Sequence, residues 1–256
     1  MLRRDLVDDQ HCQGVCFTVE DEEALAQAVA LILIQEYSSA KAIFSETPVE
    51  DLGISIGADE IDDIVERRLK PIDVYHRDGF LFQLIMWLAA HVDATADDLV
   101  ALPHAQASAK GQDCIVVHRA EGAVAAVSIC EDKATENPRS TVRDEVWPEI
   151  QAYEAGGRRD ELRSNIIATL GLGGVPADEA VVLVRGISWA GKRRYRVRVT
   201  VQKPRTKALF RGFKDLVAGP AEVRRGETMH LPELRAWMTQ FAVKVENSLR
   251  SYAQQG

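Results

Sequence analysis

Two apolar runs, CIVVH at 114–118 and AVAAVSIC at 123–130, flank the polar step Arg119–Gly122 and constrain the fold more than any other stretch of the chain. Each is short and β-compatible, and Glu121-Gly122 between them suits a tight turn, so the pattern predicts a β-hairpin. If the chain folds back about Gly122, Cys114 opposes Cys130 and Asp113 opposes Glu131 at the open end. Lys133 lies two residues beyond Glu131, so in a continuing strand it projects from the same face. Three ionisable groups therefore converge beside an apolar hairpin.

Two carboxylates held close together repel unless a cation lies between them, and oxygen ligands with bound water suit Mg²⁺ or Mn²⁺. A divalent ion so held polarises a phosphoryl oxygen and acidifies bound water, while a neighbouring lysine orients that water or stabilises developing charge. Phosphodiester hydrolysis needs this set of groups.

The charge distribution bears on the ligand. The net charge of −8 over 256 residues argues on its face against nucleic acid. It is nevertheless the sum of −14 over residues 1–100 and +6 over the remainder. From Arg185 to Lys214 the chain holds Lys and Arg but no acid. Within it, RRYRVRVTV alternates Tyr195, Val197, Val199 and Val201 with Arg194, Arg196, Arg198 and Thr200, the period of a strand with one face packed. Alternate strand residues are spaced about 6.5–7 Å apart, close to successive phosphates, and guanidinium forks suit phosphate oxygens. Lys192, Arg193, Arg194, Arg196, Arg198, Lys203, Arg205 and Lys207 are therefore the candidate nucleic-acid-binding residues.

Elsewhere, Thr18 with Asp21 reads as a helix N-cap before the apolar stretch EEALAQAVALILIQEYSSAKAIF, and ADEIDDIVERRLK restarts a helix. GFLFQLIMWLAAHV is apolar nearly all round, as in a buried helix. After the hairpin come two helical stretches, a strand candidate AVVLVRGI, the basic strand, and a C-terminal helix with Leu234, Trp237, Met238, Phe241, Val245 and Leu249 on one stripe. The mixture predicts an α/β fold, with residues 1–78 an acidic helical N-terminal region and 79–256 the main core. The apolar runs are too short to span a membrane, and the start MLRRDLVDDQH is acidic where a signal peptide is apolar, so a cytoplasmic location without a membrane partner is expected.

Asp113, a hairpin, and then Glu131-Asp132-Lys133 after AVAAVSIC resembles the PD-(D/E)XK nuclease superfamily. The resemblance covers roughly residues 80–201. It implies a restriction-endonuclease-like mixed sheet flanked by helices, with Asp113, Glu131 and the Asp132 carbonyl holding Mg²⁺ or Mn²⁺. Lys133 would serve the attacking water, and Gln151 matches a glutamine often found on the following helix. Gln83 stands where many members carry an acid. SAKGQDCIVVH followed by the E-x-K strand is similar, more narrowly, to the HamA-like nuclease subunit of Hachiman-type antiphage systems. That similarity implies a helicase or other ATPase subunit as partner, while the acid pair together with the acid-free basic stretch makes DNA the expected substrate. A catalytically idle or masked subunit, with the acidic region lying over the basic face, is the alternative.

Other signals are weak. His11, Cys12 and Cys16 lack further metal ligands at zinc spacing, GLGGVP lacks G-x-G-x-x-G, and no phosphate-binding G-x-x-x-x-G-K-[ST] occurs. Ser108 and Ser128 have no G-x-S-x-G setting and His118 reads as a strand-end histidine, so acyl-transfer chemistry is not expected.

Overall fold

The computed structural model describes residues 1–44, 56–103, 112–185, 187, 189–203 and 208–253. Among the described residues, seven strands form one mixed sheet: β1 (Leu2–Leu6), β2 (Gln13–Val19), β3 (Leu99–Val100), β4 (Cys114–Ala120), β5 (Ala123–Lys133), β6 (Arg193–Val201) and β7 (Arg224–His230). Their spatial order is β1-β2-β7-β6-β5-β4-β3. Strands β2, β7, β6 and β5 run parallel, while β1, β4 and β3 are antiparallel to their neighbours. The α/β expectation holds at this level.

Each face of the sheet carries its own apolar core. On one face lie α1 (Glu22–Leu33), α2 (Tyr37–Phe44), α4 (Val74–Asp93) and α11 (Leu234–Ala253). α3 (Ala58–Ile64), continued by a π-helical turn at Val65–Leu69, packs with them. On the other face lie α5 (Pro138–Thr141), a π-helical turn at Val142–Val146, α6 (Trp147–Glu154), α7 (Arg159–Leu172), α8 (Ala177–Arg185), α9 (Trp189–Lys192) and α10 (Phe213–Leu216). Helix α4 is buried along most of its length, as its nearly all-round apolar sequence requires. α11 docks Leu234, Met238, Phe241, Val245 and Leu249, all at most 1 % exposed.

Several local expectations change. Residues 1–78 are not wholly helical: they open with β1 and β2, which join the sheet through β7. Asp21, rather than Thr18, caps α1 by accepting the Ala24 N–H at 3.0 Å. The stretch after it breaks into α1 and α2 around Gln35, whose φ of 66° is incompatible with a continuous helix. AVVLVRGI supplies most of helix α8 instead of a strand.

Candidate active site

Tight turning by the hairpin sets the site. Glu121 and Gly122 both take positive φ, 52° and 76°, as a two-residue primed turn requires, and Gly122 does so without a Cβ penalty. The register pairs Cys114 with Cys130 and continues to His118 opposite Ala126, where it shifts by one residue. Asp113 is thereby carried to the C-terminal end of β5, where its Oδ2 accepts the backbone N–H of Asp132 at 2.6 Å. Its Oδ1 accepts from Nε2 of Gln83, on α4, at 2.5 Å. Gln83, noted in the sequence only as a departure from an acid, thus orients the first carboxylate.

Strand alternation divides the E-D-K triplet between the two faces. Glu131 and Lys133 lie opposite Val197 and Val199 of β6 and turn toward the α5–α8 layer, whereas Asp132 lies opposite Arg198 and turns toward α4. The Asp132 carboxylate is consumed there by a buried two-pronged pair with Arg198, whose Nη2 reaches Oδ2 at 2.7 Å. Only its main chain is left to serve the other groups.

Glu131 is 4 % exposed, and its Oε1 makes no hydrogen bond. Burial pushes its carboxyl well above the ordinary range, and Asp113 pushes further, against the pull of Lys133. Burial alone would lower the Lys133 ammonium, but Asp113, Glu131, Glu145 and Asp132 outweigh it and hold its pKa above the ordinary value. Lys133 is therefore a cation whose proton is tightly kept. It opens into a groove of about 860 Å³ also lined by Tyr75, His76, Asn137, Glu145 and Arg235.

Sequence reasoning missed the groups that α6 contributes. Glu149 and Tyr153 both interact electrostatically with Glu131, while Gln151 is exposed. The spacing explains this: Glu149 and Tyr153 are four residues apart on one helical stripe, and Gln151 lies off it. Arg158 backs the stripe, bonding Glu149 at 2.7 Å and lying 5.0 Å over the Tyr153 ring.

The basic strand does not form an open cationic face. β6 is the central strand and α4 covers its arginine-bearing side, so Arg196 is 5 % and Arg198 0 % exposed. Arg196 pairs with Glu227 at 2.7 Å and Asp93 at 3.1 Å, and Arg198 also donates to the Met86 carbonyl at 2.8 Å. Lys192 bonds the Val124 carbonyl at 2.8 Å, and Arg193 bonds the Tyr153 carbonyl at 2.7 Å and pairs with Glu154 at 3.1 Å. Arg194 is half-buried and Lys203 exposed, while Arg205 and Lys207 lie outside the described residues.

Among the described residues no three His, Cys, Asp or Glu side chains are grouped to hold a metal. The carboxylates acting on Glu131 are Asp113, Glu149 and Asp132, of which Asp132 is taken by Arg198. A buried, acid-flanked oxygen without a donor is nonetheless what a hard cation satisfies, so this set fits Mg²⁺ or Mn²⁺ as part of a shell completed by water. Neither a protein-family model nor a curated protein matches the chain.

Proposed function

We propose that this chain is a metal-dependent nuclease that hydrolyses DNA phosphodiester bonds at the Asp113, Glu131 and Lys133 cluster. The observation that carries the proposal is Glu131 Oε1, buried without a donor beside a second carboxylate and a lysine. The order α4, antiparallel β3-β4-β5, helices, then parallel β6 supports a restriction-endonuclease-like core, the setting that the E-x-K resemblance implies. Action with a partner such as a helicase or other ATPase belongs to the same proposal and rests on the resemblance alone.

Asp113, Glu131 and the Asp132 carbonyl would hold Mg²⁺ or Mn²⁺, which supplies Lewis acidity and an acidified water. The chain's own groups do the rest. Gln83 and the Asp132 N–H hold the Asp113 carboxylate from two sides. Lys133, kept cationic by the surrounding acids, is a poor base; it donates to the attacking water and stabilises negative charge on the phosphoryl group. Glu149 and Tyr153 close the site from α6.

The test has two readouts: nicking of supercoiled plasmid with Mg²⁺, and Mn²⁺ binding by calorimetry. Glu131→Gln and Lys133→Met should each lower nicking by about a hundredfold or more, and Glu131→Gln should also lose Mn²⁺ binding. Nicking that survives Glu131→Gln unchanged refutes the assignment. A second reading, an idle or masked subunit, is favoured by the amide of Gln83 bound to Asp113 where an acid would add a ligand. It predicts intact plasmid despite Mn²⁺ binding.

A further inference from the structure

A second polar cluster lies on the opposite face of the sheet, near the C-terminal end of α4. His118 of β4 and Ser128 of β5 both project toward the α4 layer, as do their strand neighbours Val116 and Cys130. His118 Nδ1 is 2.8 Å from Oδ1 of Asp98, and its Nε2 is 2.8 Å from Oγ of Ser128. Asp98 is fixed in turn, its Oδ2 accepting the Thr95 N–H at 2.9 Å. All three groups line a cavity of about 470 Å³, with Arg194, Arg225 and Gln13. Along β5, Ser128 in this cavity and Lys133 in the groove are about 17 Å apart.

The direction of each hydrogen bond follows from its partner. Burial pushes Asp98 up, but the Thr95 N–H and His118 outweigh it and bring it below the ordinary range, so the carboxylate is ionised and can only accept. His118 must then carry a proton on Nδ1. Burial lowers the His118 pKa despite Asp98, so the ring is neutral near pH 7 and Nε2 presents a lone pair. The Ser128 hydroxyl is the donor to Nε2. This is a serine hydrogen-bonded to a base, with the base oriented by a carboxylate.

Arg194 supplies the remaining feature. It is the register partner of Ser128 across β5 and β6, lines the same cavity, and forms no ion pair among the described residues. Ser128 is paired on both sides within the sheet, and the Arg194 guanidinium on the neighbouring strand is a donor group in the same cavity for charge developing there.

We propose that Ser128 is the nucleophile of a second, metal-independent site that hydrolyses small carboxylic esters bearing an anionic group. Ser128 Oγ bonds to the acyl carbon as its proton passes to His118 Nε2; the ester C–O bond breaks and the leaving alkoxide takes that proton. Water then attacks the acyl-serine with His118 again accepting the proton, which returns to Ser128 Oγ as the carboxylic acid departs. Arg194 holds the anionic substituent and offers N–H groups to the oxyanion.

A fluorophosphonate probe tests this on the wild-type chain in EDTA, where the Ser128 oxygen displaces fluoride from phosphorus. Intact mass should show one adduct per chain, mapped by peptide fragmentation to Ser128, and none on Ser128→Ala. Hydrolysis of a 4-nitrophenyl monoester of glutaric acid should exceed that of 4-nitrophenyl butyrate by about tenfold, one good charge-assisted contact, and Arg194→Met should erase the difference. Asp98→Asn, which alters only the orienting group, should move the His118 proton from Nδ1 to Nε2 in ¹⁵N spectra and slow labelling by about a hundredfold or more. Absence of an adduct on wild type, its attachment at another residue, or hydrolysis unchanged in Ser128→Ala overturns the proposal. Because EDTA is present throughout, these outcomes are independent of the nuclease reading.

Discussion

Glu131 illustrates how one carboxylate sets both stability and reactivity. Its acid form is favoured by burial and by Asp113, so the folded chain binds a proton that the unfolded chain releases. Its contribution therefore has the opposite sign to that of a salt-bridged acid. Metal-free protein loses stability as pH rises from the ordinary glutamate range, 4.5, toward the raised folded value, and the loss is complete above it. Glu131→Gln carries no charge to bury, so at pH 7.5 in EDTA it should melt about 2–4 °C above wild type. Across thermal melts from pH 5 to 8, the gap between the two proteins should widen with pH. A gap that is constant or inverted sinks the claim that Glu131 is held protonated. Saturating Mn²⁺ should reverse the order, since only wild type offers the second carboxylate.

The hairpin and its Cys114–Cys130 pairing were legible, but the route to that register was not: the Glu121-Gly122 turn pairs Ala120 with Ala123, and a bulge between His118 and Arg119, which neither apolar run announces, shifts the remaining pairs by one residue. Alternation in β6 was legible too, but period two says only that the faces differ, not which one meets water. Its arginines lie under α4 because partners sit far away in sequence: Asp132, Asp93 and Glu227. α8 was misread because an apolar run is compatible with strand or helix; only Ala180 and Val184, four apart, are buried, while Val182 is exposed. Asp98 could not be linked to His118 because their contact depends on tertiary placement of the turn before β3. The interior position of Arg198 has a measurable consequence. Arg198→Met leaves Asp132 buried without its guanidinium and should cost about 3–5 kcal/mol, whereas Asp132→Leu with Arg198→Met should recover most of that loss. Urea unfolding of the two variants checks this, and equal losses would show that the pair is not mutually dependent.

At the scale of the whole molecule, the −14 charge of the first hundred residues belongs to a part of the fold rather than to an appendage. β2 lies beside β7 in parallel, and its Val15 and Phe17 are 2 % and 0 % exposed within the same core as α4 and α11. α1 packs seven buried residues into that core, and Trp237 of α11 donates to Glu22 at its first turn at 2.7 Å. Restraint by the acidic region would act through charge at the surface, because β1 and β2 are part of the sheet and cannot swing away without dismantling it. Deleting residues 1–20 removes β1 and β2, exposes the edge of β7 and uncovers the core under Phe17. Loss of one buried Phe costs about 3–5 kcal/mol, and an unpaired parallel strand edge adds a template for association. Against a typical total stability of about 5–15 kcal/mol, the truncated chain should lose its cooperative melt and elute as aggregate in size-exclusion chromatography. Reversing exposed acids such as Asp59, Glu60 and Asp63 to lysine leaves the core untouched and should preserve a wild-type melt. A truncated chain that stays monomeric with a sharp transition would make the first two strands a detachable arm, and a swinging acidic mask would become physically admissible.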